Sequence, residues 1–254
     1  MSRRFDAVVF DLFGTLVSEF PLADWNANFE RLAHAFGVDV DGFRAAWHES
    51  SIDRQTGRLG DIRRNLGENA TRAGGAPTEE QIDVAVFARN ELYARYFHPL
   101  PGALETVAWA RERYRTALIS MCAPDTPELW RASPFEGLID VEVFSCESRL
   151  RKPDREIYLE AARRLGVEPE RCVYIGDGSY GELRGASAVG MTAILVHDPD
   201  EPEGTMLRPD LEPWNGLTIA SIGVVPQVLS DLESGPRPGR STRNLGGTRW
   251  SVGT

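Results

Sequence analysis

Residues 5–16, FDAVVFDLFGTL, constrain this chain more than any other stretch. Val8, Val9 and Phe10 are an apolar, β-favouring run without polar alternation, the pattern of a strand buried on both faces in a parallel sheet. Asp11 follows where such a strand would leave the sheet, and Gly14 and Thr15 let the chain turn tightly. Open α/β sheets bind ligands in the crevice beyond the carboxyl ends of their strands. An acid at that edge is therefore either a cap for the next turn or a group placed for chemistry.

The second half of the chain shows how many such edges there are. Leu104, Val107, Ala108 and Arg111 recur at helical spacing, and a strand is predicted at 116–120. Further strands are predicted at 139–144, 172–176 and 192–196, with helices near 127–132, 154–165 and 181–188. Pro153 is expected at the first position of the middle helix and Gly166 at its end. Residues 217–229 add an edge strand and a short helix. This alternation predicts an α/β fold, a doubly wound, Rossmann-like parallel sheet.

Residues 22–98 follow a different rule. Trp25, Phe29, Leu32 and Phe36 fall on one helix face, ended by Gly37; Asp41 is expected to cap a second helix carrying Phe43, Ala46 and Trp47. Asp61 is placed to cap a third, with Ile62, Leu66 and Ala70, and Thr78 with Gln81 forms a capping box for a fourth, running through Ile82, Val86, Tyr93 and Phe97. Four amphipathic helices with no strand between them must pack on one another. The division expected is a core of residues 1–16 and 99–232, a helical bundle at 17–98, and a disordered tail at 233–254 rich in Gly, Arg, Ser and Pro. Inside the helical block, QTGRLGD at 55–61 reads as a loop around Arg58.

Polar residues recur at the predicted strand ends: DLFGT at 11–15, ALIS at 117–120, RKPD at 151–154 and YIGDGSYGE at 174–182. The order Asp11 with Thr15, then Ser120, Lys152 and Asp177, resembles the haloacid dehalogenase superfamily of hydrolases, over residues 5–225. The resemblance implies that Asp11 is a nucleophile, that Ser120 and Lys152 hold the transferring group, and that Mg²⁺ is bound by Asp11, Asp177 and the backbone carbonyl of Phe13. Glu182 is expected to orient a water on the metal or to hold Lys152. It also implies a mobile cap over the site, with Thr15, Arg54, Arg58 and Tyr180 as candidate substrate contacts. The bland reading of Arg54 and Arg58 is solvated charge beside a turn.

One position departs from the family pattern. Phe13 stands where family phosphatases carry a second Asp, the general acid and base, and losing such a group typically removes about 10² to 10⁴ in rate. Three outcomes are open: a substrate with a good leaving group, replacement by another group such as Tyr180, Asp125 or one from the cap, or a protein that binds a phosphorylated ligand and hardly turns it over. Haloacid dehalogenases carry an aromatic residue at that position and need no metal, so dehalogenation is the alternative chemistry. The expected function is a Mg²⁺-dependent phosphohydrolase of a small phosphorylated metabolite.

Composition narrows the partners. With 28 Lys and Arg against 38 Asp and Glu, the net charge of −10 offers no broad footprint for nucleic acid or an anionic membrane. No apolar stretch approaches a membrane span, and Asp6 and Asp11 interrupt the first apolar run, so no signal peptide is read. Cys122, Cys146 and Cys172 fit reduced thiols and a cytoplasmic location.

Overall fold

A computed structural model describes residues 3–202 and 204–234. Six parallel strands form one sheet in the order β3-β2-β1-β4-β5-β6. They are β1 (Ala7–Phe10), β2 (Arg115–Ser120), β3 (Val141–Phe144), β4 (Cys172–Gly176), β5 (Thr192–Val196) and β6 (Leu217–Ile219). The chain runs outward from β1 to β3, then returns to lay β4 against the other side of β1. The strand order therefore reverses between β1 and β4, which is where an open α/β sheet leaves a crevice.

Strand periodicity divides the core between the two faces of the sheet. Val8, Phe10, Leu118, Val173 and Ile175 point to one face, under α6 (Ala103–Arg111) and α11 (Val225–Ser234). Ala7, Val9, Ala117, Ile119 and Tyr174 point to the other, where they meet Ile157, Ala161 and Leu165 of α9 (Arg155–Leu165) and Leu183 and Ala186 of α10 (Glu182–Ala188). Every residue of β1 and β4 is buried, which accounts for their unbroken apolar runs.

The block between β1 and β2 folds as α1 (Leu22–Phe36), α2 (Val40–Glu49), α3 (Ser51–Gln55), α4 (Ile62–Arg72) and α5 (Glu79–Tyr96). Phe29, Leu32, Phe36, Phe43, Trp47, Leu66, Ala70 and Ala85 give these helices a core of their own. Gly37 adopts the left-handed conformation at the end of α1, Asp61 accepts from Arg64 N at 2.8 Å, and both hydrogen bonds of the Thr78–Gln81 box are present. Two short helices complete the described chain, α7 (Thr126–Arg131) and α8 (Ser145–Ser148).

The structure corrects several details. The second helix is capped by Asp39, whose carboxylate accepts from Gly42 N at 2.8 Å; Asp41 lies inside the first turn, where its charge suits the helix dipole. Helix α9 begins at Arg155 with Asp154 as its flanking residue, so Pro153 precedes it. Residues 51–55 are helical, making five helices in the block among the described residues. Glu233 and Ser234, expected in the tail, are the last residues of α11, and the rest of that tail lies outside the described residues. Among the described residues no helix is long and apolar enough to cross a membrane.

Candidate active site

Asp11 leaves β1 with its backbone N–H still bonded to Ile175 O on β4 at 2.8 Å, and Asp177 is the first residue after β4. The two acids thus emerge side by side at the strand-order reversal. Gly14 makes this approach possible: at φ +72° it turns so close that a Cβ there would lie 2.8 Å from Asp177 Oδ2 and from Glu19 Cγ. Asp11, Asp177 and Glu182 each bring a carboxylate oxygen within 4.8 Å of the others.

Lys152 holds this cluster together from the loop before α9. Its Nζ donates to Asp11 Oδ1 and, at 2.5 Å, to Glu182 Oε2. Glu182 is fully enclosed; Oε2 also accepts from Tyr174 OH at 2.6 Å and Oε1 from Gly178 N at 3.0 Å. Its side chain therefore ties Lys152 to β4 and to the turn after it. Gly176 clears the space for it, since a Cβ there would fall 2.0 Å from Glu182 Oε1. Thr15, without solvent exposure, donates to Asp11 Oδ2 at 3.3 Å, so it orients the acid and has no surface to offer a substrate. Ser179 bonds both oxygens of Asp177, through N–H at 2.9 Å and Oγ at 2.8 Å.

The electrostatics follow from crowding. Burial first, and Glu182 second, push the Asp11 carboxyl far above the usual carboxylate range, with Lys152 opposing them. Asp177 is pushed up to about 6 by burial and Glu182, against the hydrogen bonds from Ser179. Burial works against the Lys152 ammonium, yet Asp11 and Glu182 outweigh it and raise its pKa above the ordinary lysine value. Three carboxylates thus share Lys152, with Arg208 reaching Asp177 from the cavity side. Hard oxygen donors gathered this closely suit a divalent cation such as Mg²⁺. Among the described residues the Phe13 carbonyl accepts no hydrogen bond, which leaves it free for such a role.

Above these residues lies a cavity of about 810 Å³, walled on the sheet side by Asp11, Lys152 and Tyr180 and on the helical side by Trp25, Trp47 and Arg54. Two polar contacts join the walls: Arg89 of α5 donates to both oxygens of Asp125, at 2.6 and 3.1 Å, and Gln55 donates to Tyr180 OH at 2.7 Å. Ser120, at the end of β2, is buried with its Oγ lacking any hydrogen-bond partner among the described residues.

The ring of Phe13 points at the helices, against Phe20 (5.4 Å between centroids), Phe97 (5.9 Å) and Tyr93 (6.2 Å). Of the two arginines expected near the substrate, Arg54 is buried and lines the cavity. Arg58 is exposed, pairs with Asp53 at 3.2 Å and lines a separate groove. Two residues at the site were missed by sequence reasoning. Glu19, buried beside Gly14, is pushed up to about 10 by burial and Asp177, with Arg208 pulling the other way. Arg208 reaches Asp177 at 3.2 Å and Glu19 at 3.6 Å. The only sign of Glu19 was a lone acid between Val17 and Phe20; Arg208 gave none.

The family model for haloacid dehalogenase-like hydrolases matches residues 5–190. The chain belongs to this family. Relatives of this haloacid dehalogenase-like hydrolase include a glyceraldehyde 3-phosphate phosphatase of Methanopyrus kandleri, 28% identical over 222 residues, covering 81% of this chain and 91% of that protein. A phosphoserine phosphatase of Thermus thermophilus is 26% identical over 200 residues, covering 77% of this chain and 76% of the relative. The L-2-haloacid dehalogenase of Xanthobacter autotrophicus shares the fold, with a TM-score of 0.60 at 20% identity over 89% of this chain and 98% of that one.

Proposed function

We propose that this haloacid dehalogenase-like hydrolase is a Mg²⁺-dependent, cytoplasmic phosphohydrolase of a small phosphorylated metabolite. The observation that carries the reading is the cluster of Asp11, Asp177 and Glu182 around Lys152 at the sheet's reversal point. A dehalogenase working without metal would leave the carboxylates of Asp11, Asp177 and Glu182 crowded together with no divalent cation to relieve their repulsion. The relatives named as phosphatases of glyceraldehyde 3-phosphate and phosphoserine point the same way.

In this reading Asp11 attacks phosphorus and carries the phosphoryl group as an aspartyl-phosphate. Thr15 and Lys152, which bond its two oxygens, fix the direction of attack. The ammonium of Lys152, held by Glu182, offsets charge on the nucleophile and on the transferring group, and the unpartnered Ser120 hydroxyl donates to a phosphoryl oxygen. Asp11, Asp177 and the Phe13 carbonyl would hold Mg²⁺, which lets an anionic nucleophile and an anionic substrate approach. Helices α1–α5 act as the cap that shuts this chemistry from water.

Phe13 supplies no proton to a leaving group, and both oxygens of Asp125 accept from Arg89, through Nε and Nη2. The reading therefore favours substrates with good leaving groups, such as acyl or aryl phosphates. The test is phosphate release from an aryl and an acyl phosphate, with Mg²⁺ and with excess chelator, beside halide release from 2-chloropropionate. Chelator-sensitive phosphate release supports the reading; chelator-insensitive halide release replaces it with dehalogenation, and silence in every assay replaces it with a binding protein.

A further inference from the structure

Five arginine and lysine side chains line the cavity: Arg54, Arg89, Arg151, Lys152 and Arg208. Four of them have carboxylate partners: Asp125 for Arg89, Asp154 for Arg151, Asp11 and Glu182 for Lys152, and Asp177, Glu19 and Glu201 for Arg208. Arg54 has none among the described residues, although it is only 6% exposed.

Its surroundings hold the guanidinium in place without neutralising it. Nε donates to Ser50 Oγ at 3.1 Å and Nη2 to Trp47 O at 2.8 Å, both uncharged acceptors, and the guanidinium carbon lies 3.7 Å from the Trp47 ring centroid. Ser50 is itself fixed, donating to the buried Asn69 Oδ1 at 2.7 Å, while Asn69 donates to Asn65 O at 2.7 Å. Nη1 is left with no partner among the described residues. A buried cation is costly unless an anion meets it, and a planar fork with a free edge is the geometry that receives a carboxylate or phosphate.

Resting on the phosphohydrolase reading, we infer that the substrate is a phosphomonoester with a second anionic group, carboxylate or phosphate, at its far end, and that Arg54 binds that group. Asp11 and Lys152 take the phosphoryl group at the sheet wall, and Arg54 takes the other end at the helical wall of the same cavity. The volume of about 810 Å³ suits a small molecule spanning the two. The aromatic side chains around Arg54 exclude water and so strengthen its attraction for an anion. Arg54 is then a specificity residue positioned by Ser50 and Asn69, while Arg58 takes no part.

The test compares three aryl phosphates with similarly activated leaving groups: 4-carboxyphenyl phosphate, 1,4-phenylene bisphosphate and 4-carbamoylphenyl phosphate, whose far end is uncharged. The wild type should turn over at least one of the anionic pair with a kcat/KM about 10- to 100-fold above that of the carboxamide, the value of one charged hydrogen-bonded contact. Which of the two is favoured names the second group. Arg54→Gln should bring the rates on the three substrates together, and Arg58→Gln should keep the wild-type preference. Equal wild-type rates on all three overturn the inference while leaving the phosphohydrolase reading intact, and so does a folded Arg54→Gln that keeps the preference. No phosphate from any of the three overturns the inference, and if acetyl phosphate is left intact as well the phosphohydrolase reading falls with it. The wild-type comparison stands even where Arg54→Gln fails to fold.

Discussion

Glu182 and Lys152 meet at 2.5 Å with almost no exposure of either side chain. The pair is built into the turn after β4 through Tyr174 and Gly178, so Lys152 is held on the core side of the cavity before any substrate arrives. Glu182→Gln should destabilise the fold by about 3 kcal/mol, because it leaves a buried ammonium with Asp11 as its one acidic partner. Denaturant unfolding reads this, and kcat should fall with it. An unchanged unfolding midpoint would mean that Asp11 alone compensates Lys152.

Ser120 gives the opposite sign for stability. Its buried hydroxyl has no partner, so Ser120→Ala should leave Tm unchanged or raise it, while kcat for phosphate release falls by about 10²-fold if the hydroxyl donates to the phosphoryl group. A fall in both would mark a structural hydroxyl.

Phe13→Asp separates packing from chemistry. The ring joins Phe20, Tyr93 and Phe97, and its loss should cost about 2 kcal/mol of stability, with Phe13→Ala costing a similar amount. Only the Asp variant should raise turnover of alkyl phosphates relative to aryl phosphates. A ratio that stays put in a folded Phe13→Asp would show that another residue already serves as the acid.

A pH effect is expected far from the site. Hydrogen bonds from Arg163 and Arg164 hold the Glu160 carboxyl well below its ordinary range, at about 2. A depressed acid contributes stability above its unfolded pKa and loses it as pH falls toward the folded value. The Tm advantage of the wild type over Glu160→Gln should therefore be full at pH 6 and shrink between about pH 4.5 and pH 2. Solvent screening keeps it small, about 0.5 kcal/mol. An advantage that grows on acidification contradicts this.

The parts legible in the sequence were those governed by period and by strand ends. Val8 to Phe10, and Cys172 to Gly176, read as buried strands because both faces of the sheet are covered, and Asp11 and Asp177 followed as the residues just beyond them. Helix α3 was not legible, since five residues are too few to show a helical period, and the burial of Arg54 went unread with it. Asp41 was read as the cap of α2, whereas Asp39, two residues earlier, is the residue whose carboxylate meets the first turn. Arg89 sits on a helix like any solvated arginine, and its burial depends on Asp125, 36 residues away. Glu19 and Arg208 come together only when the loop after β5 folds back over the first turn, where Leu207 N donates to Phe20 O at 3.0 Å.

In the proposed reaction Asp11 carries the phosphoryl group. Since Phe13 cannot activate water, the aspartyl-phosphate should form faster than it is hydrolysed and accumulate. Mixing the protein with acetyl phosphate and Mg²⁺, quenching in acid within one turnover and mapping peptides by mass spectrometry measures this directly. One phosphoryl group is expected on the peptide containing Asp11, removed by hydroxylamine and absent with chelator or in Asp11→Asn. Steady phosphate release with that peptide unmodified, and wild-type turnover in Asp11→Asn, would contradict it.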